Sequence, residues 1–281
     1  MFNTKPSNMN YTETNYRKIG IVAAIAIGIA AMMIPGASLA STALADSGNV
    51  VQSISQSNSV SASNSGSGGS ASADHNTQSN DAANVASVDI HNGGSHDKKS
   101  GHDKGGSIKD SGNVVQSIDQ SNSISASNSG SFGSASADFN TQSNDAANVA
   151  SVDISNHGGY HGGKIKDSGN AAQLIAQDNS ITATNSPPPT LLACLVGPAI
   201  PPCSSASADF NTQTNSAANI ASVDIHNHGG TIKDSGNVAQ LIAQANSINA
   251  TNTGSFGSAS ADFNNQNNTA INFADAHIGN H

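Results

Sequence analysis

The sequence lacks tryptophan, and its aromatic (4%) and charged (10%) residues are scarce. Large apolar side chains are few beyond the first 45 residues, so a thick Leu and Phe core of the kind that globular enzymes build cannot form. The ten Lys and Arg are outnumbered by 19 Asp and Glu, which gives a formal net charge of −9. Nucleic-acid binding depends on clustered cations that neutralise phosphates, so we expect no nucleic-acid partner.

Motifs for catalysis and cofactor binding are also missing. Serine is abundant, yet no Gly-x-Ser-x-Gly elbow and no defined triad occurs. Histidines cluster with Gly and Asp between repeats, and such tracts can bind Cu²⁺, Ni²⁺ or Zn²⁺. No two of these spacers share a ligand spacing, so we interpret the histidines as solvated linker residues. We predict no enzymatic activity, no cofactor and no selective metal site; the histidines concerned include His91, His96, His102, His157, His161, His226 and His228.

The dominant feature is internal repetition of a sequence with 45 Ser and 35 Asn. DSGN begins four copies, and SASAD follows 28 residues later in three of them and 42 residues later in the third. We assign the repeats to 46–92, 110–156, 167–227 and 234–281, with Gly/His/Lys spacers at 93–109, 157–166 and 228–233. The third copy carries a Pro-rich insert, 186–203, whose Cys194 and Cys203 are a candidate local disulfide in an exported chain.

Residues 1–45 differ from the rest and resemble an export leader. Lys5, Arg17 and Lys18 precede an apolar run, and Ala43-Leu44-Ala45 fits an A-x-A cleavage site. We expect a cleaved signal peptide, with an uncleaved membrane-anchor helix as the alternative. Either way, the remainder is predicted to be extracellular or at the cell surface.

The first half of each copy alternates with period two, which predicts β-strand. One face keeps Gln, Asn and Val/Ile/Ala at fixed places in all copies, whereas the other drifts through Ser, Asp, Leu and Ala. We predict that the invariant face is buried and that its amides form hydrogen-bonded ladders between stacked copies. The predicted ladder residues are Gln52, Gln56, Asn58, Gln116, Gln120, Asn122, Gln173, Gln177, Asn179, Gln240, Gln244 and Asn246, and in the second halves Gln78, Asn84, Gln142, Asn148, Gln213, Asn219, Gln266 and Asn272.

A strand of 15 residues would span about 50 Å and is rare, so we expect a bend near Gln-x-Asn-Ser. In the second half we expect a polar turn at Gln142-Ser143-Asn144. Each half would then be a strand-turn-strand unit, and eight units at one rung each would stack to about 40 Å. The predicted fold is all-β, a repeat protein forming a β-solenoid or stacked β-arches after the N-terminal signal or anchor helix, with spacers outside the rungs.

Gln78-Ser-Asn80-Asp-Ala-Ala-Asn84-Val-Ala86 and its copies resemble the curlin repeat of secreted bacterial amyloid fibres. That family's units carry Gln-x-Gly-x-x-Asn-x-Ala in a strand-turn-strand arch. Here Asn replaces the turn glycine, one residue is added before the second Asn, and variable spacers resemble those of the Fap class of functional amyloids. The resemblance implies self-assembly.

Three functions follow from this pattern. The first is a secreted structural protein that polymerises with itself through open β ends into fibres or biofilm matrix, adhering to other matrix or cell-surface components. The second is a monomeric or anchored solenoid that binds a glycan, mineral or ice surface. The third is a disordered coat protein, which the drift confined to one face argues against.

Overall fold

A computed structural model describes residues 38–45, 48–66, 68–93, 106–130, 133–157, 163–186, 204–253 and 257–280. These residues form sixteen strands and no helix, and no helix among them could span a membrane. The expected leader helix in residues 1–37 and the candidate disulfide Cys194–Cys203 lie outside the described residues.

The strands stack as four parallel sheets, so the predicted all-β solenoid is confirmed. The first strand, β1, is Ser38–Ala45. Each copy then supplies a long strand, a short strand and a second long strand. After each of the first three copies, one more short strand leads to the next copy. The first-half strands are β2 (Val50–Asn64), β6 (Val114–Asn128), β10 (Ala171–Asn185) and β14 (Val238–Asn252). The short strands that follow them are β3 (Ala71–Ser72), β7 (Ser134–Ser136), β11 (Ser205–Ser207) and β15 (Ser258–Ser260). The second-half strands are β4 (Thr77–Gly93), β8 (Thr141–His157), β12 (Thr212–Asn227) and β16 (Asn265–Asn280). The connecting strands are β5 (Ser107–Lys109), β9 (Gly163–Lys166) and β13 (Gly230–Lys233).

One copy forms one rung, so the described solenoid has four rungs and the expectation of eight stacked units is wrong. The two halves of a copy face each other across the core instead of stacking. Gln52 Nε2 donates to the Val85 carbonyl across it at 3.1 Å, and Asn58 Nδ2 donates to Asn80 Oδ1 at 2.8 Å. Stacking occurs only between copies, in the order β2-β6-β10-β14 and β4-β8-β12-β16.

The long strands run without a break, and the expected bend near Gln-x-Asn-Ser is therefore wrong. The strand β6 covers 15 residues, Val114–Asn128, or about 50 Å of extended chain. The expected polar turn at 142–144 is also wrong, because β8 continues through it with Asn144 fully buried. The Asn and Ser that suggested turns are tolerated in mid-strand because each Asn is paired with its counterpart in the next rung.

The core alternates apolar clusters with bands of buried amides. One cluster at an end of the rungs contains Val114, Ile154 and Ile165, a middle cluster contains Ile118 and Ile175, and a third contains Ile124, Ile181 and small alanines. The amides lie between these clusters on the same strands, since the inward face of each strand alternates the two types. The face that the copies preserve is the buried one, and the drifting face is more exposed.

Two recurrent turns close each rung. At DSGN, Asp110, Asp167 and Asp234 adopt φ of 50–52°, and the following Gly112 has φ of 69°. A Cβ on Gly112 would lie 3.1 Å from the Ile90 methyl, so both its conformation and its packing favour glycine. At the second turn the positive φ falls on Phe139, Phe210 and Phe263.

The spacers do not lie wholly outside the rungs, contrary to the expectation from their composition. Their ends form the three-stranded sheet β13-β9-β5, and Ile108 and Ile165 of these strands are buried in the core. The first described strand, β1, pairs in parallel with β4, Ser38 opposite Asp81 and Ala45 opposite Val88. It therefore lies along the outer edge of the first rung.

Removing a core side chain should reveal how strongly the rungs depend on each other. Ile175 is fully buried and is in register with Ile118 and Ile242, so we expect Ile175→Ala to lower the free energy of unfolding by about 2–5 kcal/mol. Its neighbour Leu174 points outward and is 40% exposed, so Leu174→Ala should cost less than about 1 kcal/mol. Urea unfolding followed by circular dichroism measures both, and equal losses would contradict the assigned inward face.

Candidate functional site

The candidate functional site is the set of amide ladders that run the length of the solenoid and reach its two end rungs. Gln116 Nε2 donates to Gln52 Oε1, Gln173 to Gln116 and Gln240 to Gln173, each at 2.8 Å. The ladder starting at Gln56 runs the same way through Gln120, Gln177 and Gln244. Each of these bonds joins identical side chains one rung apart.

The glutamines also satisfy the backbone across the core. Gln120 Nε2 donates to the carbonyls of Asn80 and Asp145 at 2.8 and 3.0 Å, in addition to Gln56 Oε1. Its own Oε1 accepts from Gln177. Burial of an amide is costly unless donors and acceptors are matched. The repeat meets that cost by using one side chain both along the stack and across it.

Most asparagine ladders run in the opposite direction. Asn84 Nδ2 donates to Asn148 Oδ1, Asn148 to Asn219 and Asn219 to Asn272, at 3.0–3.1 Å. Glutamine bonds therefore donate toward the first rung, whereas these asparagine bonds donate toward the last. The column of Asn113, Asn170 and Asn237 at the DSGN turn is an exception and donates toward the first rung, as the glutamines do. The two ends of the solenoid are therefore chemically different.

The structure places every ladder residue predicted from the sequence in such a column. The second-half glutamines form Gln142→Gln78, Gln213→Gln142 and Gln266→Gln213 bonds of 2.9 Å. Sequence reasoning missed further asparagine columns, although their recurrence at fixed positions was a usable signal. These columns include Asn64-Asn128-Asn185-Asn252, Asn80-Asn144-Asn215-Asn268, Asn92-Asn156-Asn227-Asn280 and Asn49-Asn113-Asn170-Asn237.

The recurrent aspartate of SASAD forms a charged column beside these amides. Asp74 Oδ1 accepts from the Asp138 N–H at 2.7 Å and from the Ser136 hydroxyl at 2.6 Å, and the same pair of bonds recurs at each later rung. Burial alone would raise the pKa of Asp74, but these donors outweigh it and hold the pKa below its ordinary value. The carboxylate therefore links neighbouring rungs.

The residue directly after this aspartate forms an aromatic column. The rings of His75, Phe139, Phe210 and Phe263 stack with centroid separations of 4.9–5.0 Å and nearly parallel planes. All four residues have a positive φ of 55–57°, a conformation that costs roughly 1–2 kcal/mol for a side chain with a Cβ. Stacking between rungs offsets part of that cost. Phe263 of the last rung has no ring beyond it among the described residues and is 79% exposed.

The last rung presents an open edge. In the described chain β14, β15 and β16 are edge strands of their sheets, as are β2 and β3 at the other end, while β1 covers part of β4. Asn84 Oδ1 of the first rung is buried and has no hydrogen-bond partner among the described residues. It is the acceptor end of the ladder in which every later Asn receives a bond.

Comparisons with known proteins do not name this arrangement: no protein-family model, no curated protein and no solved structure matches the chain.

Truncation of a central ladder glutamine should destabilise the whole stack. Gln120→Ala removes the two N–H donors that Nε2 shares among three acceptors, and one accepted bond, at a fully buried site. Because the partners stay buried without a replacement, we expect the free energy of unfolding to fall by at least about 1–3 kcal/mol, the cost of one unsatisfied buried group. The control is Ser121→Ala on the outward face, with an expected effect below about 0.5 kcal/mol. Chemical denaturation compares them, and a Gln120→Ala effect no larger than the control would contradict the ladder.

A second column of carboxylates supplies a pH-dependent test. Burial, then the nearby Asp81 carboxylate, raises the pKa of Asp145, whereas copy three has Ser216 in register with it. A raised folded-state pKa means that the ionised form costs stability above that pKa and that the cost disappears as the pH falls through it.

Asp145→Ser should therefore unfold at a higher temperature than the parent at pH 7. The gain in the free energy of unfolding should be less than about 1 kcal/mol, because the site is partly solvated. The gain in stability should shrink as the pH falls toward 3.8, the ordinary pKa of an Asp side chain. Asp119→Ser, at an exposed position where copy one has Ser55, controls for the same change in net charge. Thermal melts between pH 3 and 8 measure the difference, and a gain independent of pH would contradict the assigned cause.

Proposed function

We propose that this protein is a secreted structural protein that stacks head to tail, the last rung of one copy on the first rung of the next, to form extracellular fibres or matrix. The observation that carries the proposal is the polarity of the ladders. Glutamines of the last rung offer acceptors where glutamines of a first rung offer donors. In the ladder that starts at Asn84, the last rung offers the donor and the first rung offers the acceptor. Head-to-head contact would oppose like groups.

Continuing the repeat register by one rung gives favourable neighbours in the outer columns as well. His277 would lie beside Asp89 of the next copy, since these columns align Asp89, Asp153, Asp224 and His277. Phe263 would stack on the next copy's His75, extending the aromatic column. The buried Oδ1 of Asn84 would accept from Asn272 of the preceding copy, as it does not from any described residue of its own chain.

The strand β1 links export to assembly, because its removal would expose the first rung. It pairs with β4 over eight residues, and the expected cleavage after Ala45 would remove all of it. The outer edge of β4 would then be available to another β16. Processing during export would uncover the first rung only outside the cell, which limits premature assembly of open edge strands.

The resemblance of the repeats to curlin units supports the same role, since both use Gln and Asn at fixed places in stacked strands. In this chain each half is a single long strand, so the resemblance lies in the ladder chemistry. Adhesion to other matrix components remains part of the proposal through the exposed Ser and Asp faces.

A second candidate function is a surface-binding solenoid, and the exposed aromatic column favours it. Rings of Phe139, Phe210 and Phe263 that are 49–79% exposed at 5 Å spacing form a flat apolar row of the kind that sugar rings contact. This function would act on monomers, so the assembly experiment separates it from the first.

The test uses residues 46–281 diluted from denaturant and a proline at the open edge. The Asn265 N–H points to the third rung, so the Ala276 N–H, an odd number of residues later, points away from it toward an incoming copy. Ala276→Pro removes that donor and places a ring at the junction. Ala276→Val is the matched control, because the other copies have Val at this register position.

We expect the parent and Ala276→Val to form filaments with a meridional reflection near 4.8 Å in fibre diffraction. Ala276→Pro should lengthen the lag time at least about tenfold or stay monomeric, with an unchanged β circular dichroism spectrum. A folded parent that never assembles would shift the weight to the surface-binding solenoid. Filaments of equal yield from the proline variant would contradict stacking through the last rung.

A further inference from the structure

We propose that Asp224, His226 and His277 form a binding site for a late first-row divalent ion, with Zn²⁺ as the representative ligand. Among the described residues they are a group of three potential ligands whose donor atoms all lie within 4.8 Å of one another. His226 Nε2 is 2.9 Å from Asp224 Oδ1, and the His226 and His277 ring centroids are 5.7 Å apart. All three ligands belong to one chain, so the site does not depend on the proposed stacking.

The register explains why, within the described rungs, the group forms at this place. One outward column runs Asp89, Asp153, Asp224 and His277, and the column two residues along runs His91, Ser155, His226 and Gly279. The fourth rung exchanges Asp for His in the first column and has glycine in the second. Gly279 leaves the space beside His226 clear, so the His277 side chain can approach it from the adjacent rung.

The donor set suits the ion. Two imidazole nitrogens and one carboxylate oxygen are common ligands of Zn²⁺, and a catalytic-type site of three protein ligands keeps its fourth position for water. Zn–N bonds of about 2.0–2.1 Å put tetrahedral ligands about 3.3 Å apart. The Asp224–His226 pair is already close to that value, and rotation of the exposed His277 side chain closes the remaining gap.

Charge and burial also favour a cation. The Asp224 side chain is 15% exposed and that of His226 is 38% exposed, so the ligands are held by the strand while one side remains open to solvent. Asp153 occupies the preceding rung of the same column. A divalent ion here would offset the repulsion between stacked carboxylates.

The chain contains a natural two-ligand control. Asp89 and His91 repeat the same Asp-x-His arrangement at the first rung, with 2.6 Å between His91 Nδ1 and Asp89 Oδ1. Their neighbours in the second rung are Asp153 and Ser155, so no second imidazole joins them within the described rungs. The prediction that the histidines are merely solvated linker residues would treat His91 and His226 alike.

The experiment titrates the full chain with Zn²⁺ by isothermal calorimetry and with Co²⁺ by visible absorption, which reports low-symmetry nitrogen and oxygen ligation. We expect one ion per chain, with affinity reduced at least about tenfold by His277→Ala and by Asp224→Asn and changed less than twofold by His91→Ala. His277 is exposed, so His277→Ala should keep the parent circular dichroism spectrum and unfolding midpoint.

Equal weakening by His91→Ala and His277→Ala would overturn the site and indicate diffuse binding to histidine-rich segments. Absence of any one-to-one binding in the folded parent would overturn it as well. Because the titration reads out binding to a single chain, it can fail while fibre formation succeeds, and the reverse.

Discussion

The structure depends on the pairing of each buried amide with the same residue of the next copy. Without it, the chain would bury dozens of polar groups with too little apolar surface to compensate, since large hydrophobic side chains are scarce. With it, Gln116, Gln120 and their counterparts satisfy the neighbouring rung and the opposite strand at once. Serine and asparagine, which favour disorder in most sequences, here become compatible with a closely packed core.

The same constraint explains the shape of the rungs. Ladders require identical residues at identical heights, so neighbouring copies must be parallel and in register over the full length of both long strands. Copy three carries its insertion between β10 and β11, and both strands remain in register with their neighbours. Drift is confined to outward positions because those side chains have no obligatory partner.

Comparison between copies was enough to predict the inward face and part of the ladders, because burial restricts substitution at Gln, Asn and Ile but not at the outer Ser. The columns that start at Asn64, Asn80 and Asn92 were missed. The turn preference of Asn led to wrong predictions of a turn at Asn144 and a bend at Gln-x-Asn-Ser. An Asn that caps a turn and an Asn that pairs with its counterpart in another copy look alike in sequence. Phe139 could not be placed either, since a bulky residue at positive φ is unfavourable by itself and is stabilised by rings from other rungs. His226 and His277 come together only through strand register across 51 residues of chain, which spacing within the spacers cannot reveal.

The most direct test of the central claim is hydrogen exchange of the side-chain amides, followed by NMR on protein labelled with ¹⁵N at glutamine. Gln116, Gln120, Gln173 and Gln177 lie in the two inner rungs and are at most 3% exposed, whereas Gln240 and Gln244 lie in the open last rung. If the ladders hold the fold together, the inner Nε2 protons exchange on the timescale of the strand backbone. Those of Gln240 and Gln244 donate the same ladder bonds but exchange faster, because their rung is open to solvent on one side. Inner amide protons that exchange as fast as those of the last rung, in a protein whose backbone is protected, would contradict the account.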